Sequence, residues 1–216
     1  KSKSLGDAVA CKVLRSEYRI DISALEAVIH EGDLLTRLDH PNVVKGHAYY
    51  LEPDPRIVMQ HLTGQTLATA VFEGNYTAFT LKNIVAMVTQ LADALSYLHS
   101  CDILHLDVKP SNIMYSDGWL TLFDLSVAKE FDPERGLRDN AGTRDYMAPE
   151  QTRRDQVGYA TDVYGMGVVF YQLLTGGELP YPTVERESED GEVTKSVDYD
   201  SPVTPPSQFN PEVTAD

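Results

Sequence analysis

Between Ile103 and Ser126 the chain reads I-L-H-L-D-V-K-P-S-N-I-M-Y-S-D-G-W-L-T-L-F-D-L-S, with the residues that could do chemistry at short intervals. Asp107 is an acid, Lys109 an amine, Asn112 an amide, and Asp124 a second acid. A short β-branched and aromatic hairpin, turned at Ser116-Asp117-Gly118, delivers Asp124. Phosphoryl transfer from a nucleotide needs such a set. A carboxylate accepts the hydroxyl proton, a cation offsets charge on the moving phosphate, and an amide with a second carboxylate holds Mg²⁺. A polar loop ahead of a hairpin, its Asp and Asn serving only as turn formers, accounts for the same string without chemistry.

Other elements must position these groups. Ala8 to Leu14 reads as a buried strand with Lys12 set in it. A lysine there is costly unless its ammonium meets an anion, although an edge lysine pointing to solvent also fits. An amphipathic helix follows, with Ser23 and Glu26 as a capping box and Leu25, Val28, Ile29, Leu35 and Leu38 at helical spacing. It should stop at Asp39-His40-Pro41-Asn42, and Gly32 weakens it by about 1 kcal/mol relative to alanine. Val43 to Leu51 and Arg56 to Leu62 read as strands joined by Glu52-Pro53-Asp54-Pro55. A long helix spans Thr80 to Ser100 on a stripe of Leu81, Ile84, Val85, Val88, Leu91, Leu95 and Leu98, which is core. Ala160 to Thr175 reads as a buried helix ended by Gly176-Gly177.

The chain has 216 residues, enough to bury a real core as one large domain or two small lobes. Its formal charge of -15 argues against nucleic acid or an anionic membrane as partner. Two cysteines, Cys11 and Cys101, give no disulfide framework and point to a reducing, cytoplasmic compartment. Cys101 follows an apolar helix and reads as a buried thiol. No apolar run approaches the roughly 20 residues of a membrane span. Thr183 to Ser201 is acidic and weakly periodic, so a flexible or solvated charge run is expected, with an acidic dock for basic substrates as the sharper option.

The stretch from His105 to Asp124 resembles the catalytic loop and metal motif of eukaryotic-like, bacterial-style Ser/Thr protein kinases, written H-R-D-x-K-x-x-N and D-F-G. Val9-Ala10-Cys11-Lys12 is similar to the V-A-I-K strand, Leu38 to Val44 to the exit of the regulatory helix, and Ala141 to Glu150 to the G-T-x-x-Y-M-A-P-E end of the activation segment. The resemblance covers Val9 to Pro182, with the motifs in the family's order. It implies an α+β, two-lobed fold with a small β-rich N-lobe, one regulatory helix and a larger, mostly helical C-lobe. The partial N-lobe and hinge would be 1–62, the C-lobe core 63–182, and an acidic, flexible segment 183–216.

By the same resemblance, Asp107 is the base, Lys109 the phosphate-contacting amine, and Thr143 a contact of Asp107. Asn112 and Asp124 hold Mg²⁺, and Lys12 pairs with a helix glutamate. Counting back along the pattern selects Glu31, with Glu26 as competitor. Ala10, Met59, Gln60, Leu62 and Met114 would surround the ATP adenine, although Met59 is also ordinary core filling. Asp162 would bond the backbone of the catalytic loop. The partners implied are a protein substrate and a regulatory partner at the Glu31 helix, with no membrane contact from this segment.

Departures from the pattern shape the expectations. The resemblance implies a glycine-rich loop ahead of Gly6 and final helices with an arginine for Glu150, so the chain reads as truncated at both ends, with Glu150 exposed or its region loose. Leu106 stands where the family has arginine, and Leu125-Ser126 where it has Phe-Gly. Leucine can fill the phenylalanine slot, whereas serine removes a glycine's access to positive φ. Val127 to Gly142 has no Ser, Thr or Tyr, so activity set without loop phosphorylation is expected. Ser111 and Thr66 fall where basophilic relatives keep acids, so no preference for arginine follows. The alternative to a kinase is a kinase-like nucleotide-binding or scaffold module without turnover. Small-molecule phosphotransfer ranks below both.

Overall fold

The computed structural model describes residues 8–73, 79–187 and 193–214. Strands β1 (Val9–Val13), β2 (Gly46–Tyr50) and β3 (Arg56–Gln60) form an antiparallel sheet in the order β1-β3-β2, with helix α1 (Ile22–Arg37) inserted between β1 and β2. After β4 (Gln65–Thr66) the chain turns helical. Helix α2 (Leu81–Ser100) leads through β5 (Ile103–Leu104) into the hairpin β6 (Ile113–Ser116) and β7 (Trp119–Leu122). The pairs β5 with β8 (Lys129–Glu130), and β9 (Leu137–Arg138) with β10 (Gln156–Val157), bracket the following segment. Short α3 (Pro149–Arg153) and long α4 (Tyr159–Thr175) complete the larger half, and a last hairpin joins β11 (Thr183–Glu187) to β12 (Val193–Val197).

One apolar core runs through both halves, from Leu34 and Leu35 of α1, through Ile84, Leu91 and Leu98 of α2, to Val169 and Leu173 of α4. The α2 stripe is rotated slightly from expectation. Val85 is 57% exposed, while Met87 and Ala94 are buried, because a helix turns about 100° per residue and the face follows positions three and four apart. The start of α1 also differs. Asp21, not Ser23, is the N-cap, its carboxylate accepting from the N–H groups of Ser23 and Ala24 at 2.9 and 3.3 Å. Both residue types cap well, and the extended backbone at Asp21 decides between them. Gly32 has a reason to be glycine, since a Cβ there would lie 2.6 Å from Tyr49 of β2. Its absence lets α1 lie close against the sheet.

Strand β1 pairs only with β3 among the described residues, and the expectation of a buried strand is corrected accordingly. Val9, Cys11 and Val13 are exposed. Ala10 and Lys12 share the other face, opposite Met59 and buried Ile57. Cys101 is likewise exposed rather than buried, because it is the C-cap of α2 and lies beyond the stripe. The acidic stretch after Pro182 is not a structureless charge run, since β11 and β12 pair in register from Thr183 with Val197 to Glu187 with Val193. Among the described residues no helix is long and apolar enough to cross a membrane.

Candidate active site

Asp107 and Asn112 lie on the loop between β5 and β6, and the loop is fixed from behind. The carboxylate of Asp162, at the start of α4, accepts from the backbone N–H of His105 at 2.9 Å and of Leu106 at 2.8 Å. His99 at the end of α2 reaches the same carboxylate at 2.8 Å. Asp162 is almost fully buried, so these bonds satisfy a charge that would otherwise be costly. His105 is buried beneath the loop, and burial pushes its imidazole below the ordinary range. Its ring then serves as a neutral spacer, Nδ1 accepting from the Asp107 N–H at 3.3 Å.

At the front of the loop, Asn112 donates through Nδ2 to the Asp107 carbonyl at 2.9 Å and to Asp107 Oδ2 at 3.0 Å. Lys109 Nζ lies 2.7 Å from the same Oδ2 and donates to the Thr143 hydroxyl at 2.5 Å. Thr143 thus meets Lys109, and the expected direct contact with Asp107 is replaced by one relayed through the amine. The other oxygen, Asp107 Oδ1, is buried and has no hydrogen-bond partner among the described residues. A buried carboxylate oxygen left bare costs about 1–3 kcal/mol or more. It is an acceptor for which the described residues supply no donor.

The second cluster joins the sheet to the hairpin. Lys12 Nζ donates to Glu31 at 2.8 and 2.9 Å and to Asp124 Oδ1 at 2.8 Å. Glu31 is 4% exposed, and burial pushes its carboxyl up despite the ammonium beside it. For Lys12, burial alone would lower the pKa, but the charges and hydrogen bonds of Glu31 and Asp124 outweigh it and raise the ammonium above its ordinary value. Burial alone would raise Asp124, yet Lys12 and donors from Ser126 hold it below the usual carboxylate range. Glu26 has no part in this cluster.

Two residues here have left-handed backbone without being glycine, Leu106 at φ 64° and Asp124 at φ 65°. Asp tolerates this conformation, whereas leucine does so only under constraint. Leu106 is pinned at both ends, its N–H on Asp162 and its carbonyl accepting from Gln151 Nε2 at 3.0 Å. The expectation about Ser126 is revised, because the left-handed residue of D-L-S is Asp124, and Ser126 supplies a hydroxyl to it. Leu125 is fully buried, as a leucine replacing phenylalanine should be.

The adenine-side residues are only partly gathered. Gln60, Leu62 and Met114 line a shallow recess of about 210 Å³ with His61 and Thr121. Ala10 and Met59 lie outside it, paired across β1 and β3. Glu150 is half-buried and has found a substitute partner, accepting from the Thr161 hydroxyl at 2.7 Å.

A carboxylate with a bare oxygen, an amine and an amide lie on one pinned loop, and an ammonium is held between two carboxylates in a second cluster. Comparison with known proteins gives the family. The protein kinase domain model matches residues 1–215. Human myosin light chain kinase 2, skeletal/cardiac muscle, is 30% identical over 178 residues, covering 81% of this chain and 29% of that protein. The serine/threonine-protein kinase AtPK1/AtPK6 of Arabidopsis thaliana is 30% identical over 178 residues, covering 82% and 38%. The calcium/calmodulin-dependent protein kinase cmkA of Emericella nidulans is 37% identical over 155 residues, covering 69% and 37%. The chain belongs to the protein kinase domain family. It spans well under half the length of these curated relatives.

Proposed function

We propose that the protein transfers the γ-phosphoryl group of ATP to Ser or Thr hydroxyls of protein substrates. The observation that carries this reading is the bare, buried Asp107 Oδ1 beside Lys109. An acceptor hydroxyl placed there donates its proton to Oδ1 while Lys109 offsets charge on the phosphate. Lys12, held by Glu31, contacts the nucleotide phosphates, and Ala10, Met59, Gln60, Leu62 and Met114 surround the base. Asn112 and Asp124 would hold Mg²⁺, which spreads the charge of the phosphates. The fit is good: Asn112 uses its Nδ2 on Asp107 and keeps its carbonyl oxygen for a cation, and Asp124 stays ionised. In this reading 1–62 form the nucleotide lobe and 63–182 the C-lobe core, and control acts through the position of α1, including a partner on that helix.

The second reading, a binding module without turnover, is favoured by the Lys12–Asp124 contact at 2.8 Å, which occupies one of the two carboxylate oxygens offered to the cation. The test is Asp107→Asn in the full chain, with nucleotide affinity and phosphate incorporation measured separately. Lost incorporation with retained affinity supports the kinase reading. Turnover above about a tenth of wild type would remove Asp107 from its role. Tight nucleotide binding by wild type with no incorporation would favour the binding module.

A further inference from the structure

Beside the activation segment lies a cleft of about 530 Å³ that the phosphoryl-transfer reading does not use. Its walls come from separate elements: Arg144 on the turn after Thr143, Arg153 and Arg154 at the end of α3, and Lys195 on β12. The last hairpin is tied down to form this wall. Tyr199 donates to the Met147 carbonyl at 2.8 Å, and Arg144 donates to the Lys195 carbonyl.

The charge in the cleft opposes that of the chain. The protein has 33 acids against 18 bases, yet four of those bases line this one cleft. Asp198 and Asp200 also line it, so the cleft sets four cationic side chains against two carboxylates. Among the described residues Arg144, Arg153 and Arg154 have no carboxylate at ion-pair distance, and Lys195 has only Glu185 at 3.7 Å. Each guanidinium offers a planar fork of donors suited to carboxylate or phosphate. Arg154 also adopts φ 57° as the C-cap of α3, where glycine or asparagine would be less strained.

Position gives the cleft its meaning. Arg144 directly follows Thr143, whose hydroxyl touches Lys109, and Lys109 touches Asp107. A chain whose hydroxyl sits at Asp107 therefore passes the mouth of the cleft within a few residues. We infer that this cleft selects protein substrates bearing carboxylate or phosphate side chains close to the acceptor hydroxyl, with Arg144, Arg153, Arg154 and Lys195 as the residues that read them. The inference rests on the kinase reading for its acceptor position. It runs against the sharper of the two options for the segment after Pro182, an acidic dock for basic substrates, since that segment contributes Lys195 to a basic wall.

The experiment measures binding by fluorescence anisotropy with the full chain. Three labelled peptides share one acceptor serine flanked by glutamates, by phosphoserines or by glutamines. The glutamate or phosphoserine peptide should bind at least about tenfold tighter than the glutamine peptide, equivalent to about 1.4 kcal/mol. Added salt should reduce the advantage. Which of the two acidic peptides binds tighter separates carboxylate from phosphate recognition. The advantage should fall in the pair Arg153→Glu with Arg154→Glu, and independently in Lys195→Glu, which lies on a different element and guards against misfolding of α3. Equal binding of all three peptides to wild type, or a preference that survives both variants, would overturn the inference. Phosphate incorporation, followed separately, distinguishes the two readings. Acid preference without incorporation removes the kinase reading and keeps the cleft, whereas incorporation without preference does the reverse.

Discussion

Leu106 is the position from which control of the activation segment can be tested. Its side chain is 4% exposed and forms a small apolar cluster with Leu104 and Val157, onto which Val127, Phe131, Leu137 and Tyr159 pack. Leu→Ala in a core costs about 2–5 kcal/mol. With three buried members and partly exposed neighbours the cluster can relax, so the lower end, about 2 kcal/mol, applies here. The strain of the left-handed backbone is untouched by the change, because alanine bears the same Cβ. The loss should appear as local opening of the segment that the cluster secures, above all the short β9–β10 ladder of Leu137 and Arg138 with Gln156 and Val157. About 2 kcal/mol corresponds to roughly 30-fold faster exchange for amides that open by this route. Native-state hydrogen exchange on peptides spanning 127–142, compared with peptides from α2, reads it directly. Unchanged exchange in 127–142, or equal acceleration in α2, would refute the claim that the cluster specifically orders this segment.

Lys12→Met should weaken nucleotide affinity and abolish turnover together, and a titration in which neither changes would remove β1 from the nucleotide site. Gly32→Ala should lower the melting temperature despite alanine's helix propensity. The new Cβ meets Tyr49 at 2.6 Å, and overpacking of about 1–3 kcal/mol exceeds the roughly 1 kcal/mol gained; a rise in melting temperature would show that Tyr49 yields freely. His105 is held neutral by burial, its folded pKa below the ordinary value. Below about pH 6.5 the unfolded chain takes up a proton that the folded chain refuses, so stability is present above that pH and falls as pH drops, by at most about 1.4 kcal/mol per unit. Denaturant unfolding of wild type and His105→Gln at pH 7.5 and 5.5 checks this, because the variant should lose less on acidification; parallel losses would mean that His105 titrates normally.

The parts of the site legible in the sequence are those carried by the resemblance to the kinase motifs. The resemblance pairs Lys12 with Glu31, which meets it at 2.8 Å. It also sets Asp162 against the backbone of the catalytic loop, where its carboxylate meets two backbone N–H groups and His99. The misses occur where composition allows two outcomes. Asp21 and Ser23 can each cap a helix, and the acidic stretch from Thr183 to Ser201 reads as solvated, although Asp190-Gly191 between β-branched runs is a hairpin signal. The bare oxygen of Asp107 and the basic cleft have no local signature at all. Both depend on which distant elements come together, Arg144 and Lys195 being 51 residues apart.

The left-handed backbone at Leu106 connects these observations. In an H-R-D loop the arginine can receive a phosphate on the activation segment and so order it. Here the residue in that place is apolar, and the stretch it faces, Val127 to Gly142, has no hydroxyl to phosphorylate. The attachments of the segment are of other kinds. Leu137 and Phe131 pack on the Leu106 cluster. His30 of α1 lies 2.8 Å from the Ala128 carbonyl, and since a carbonyl only accepts, Nε2 carries the proton. Arg37 of α1 meets Glu130 at 2.7 Å, an exposed pair that contributes less than about 1 kcal/mol. The helix that presents Glu31 to Lys12 is therefore also the helix that touches the start of the activation segment. A shift of α1 would loosen the Lys12–Glu31 pair and the His30 contact together. The proposed control through the position of α1 would need no phosphate, consistent with an apolar Leu106 in the place of the phosphate's partner.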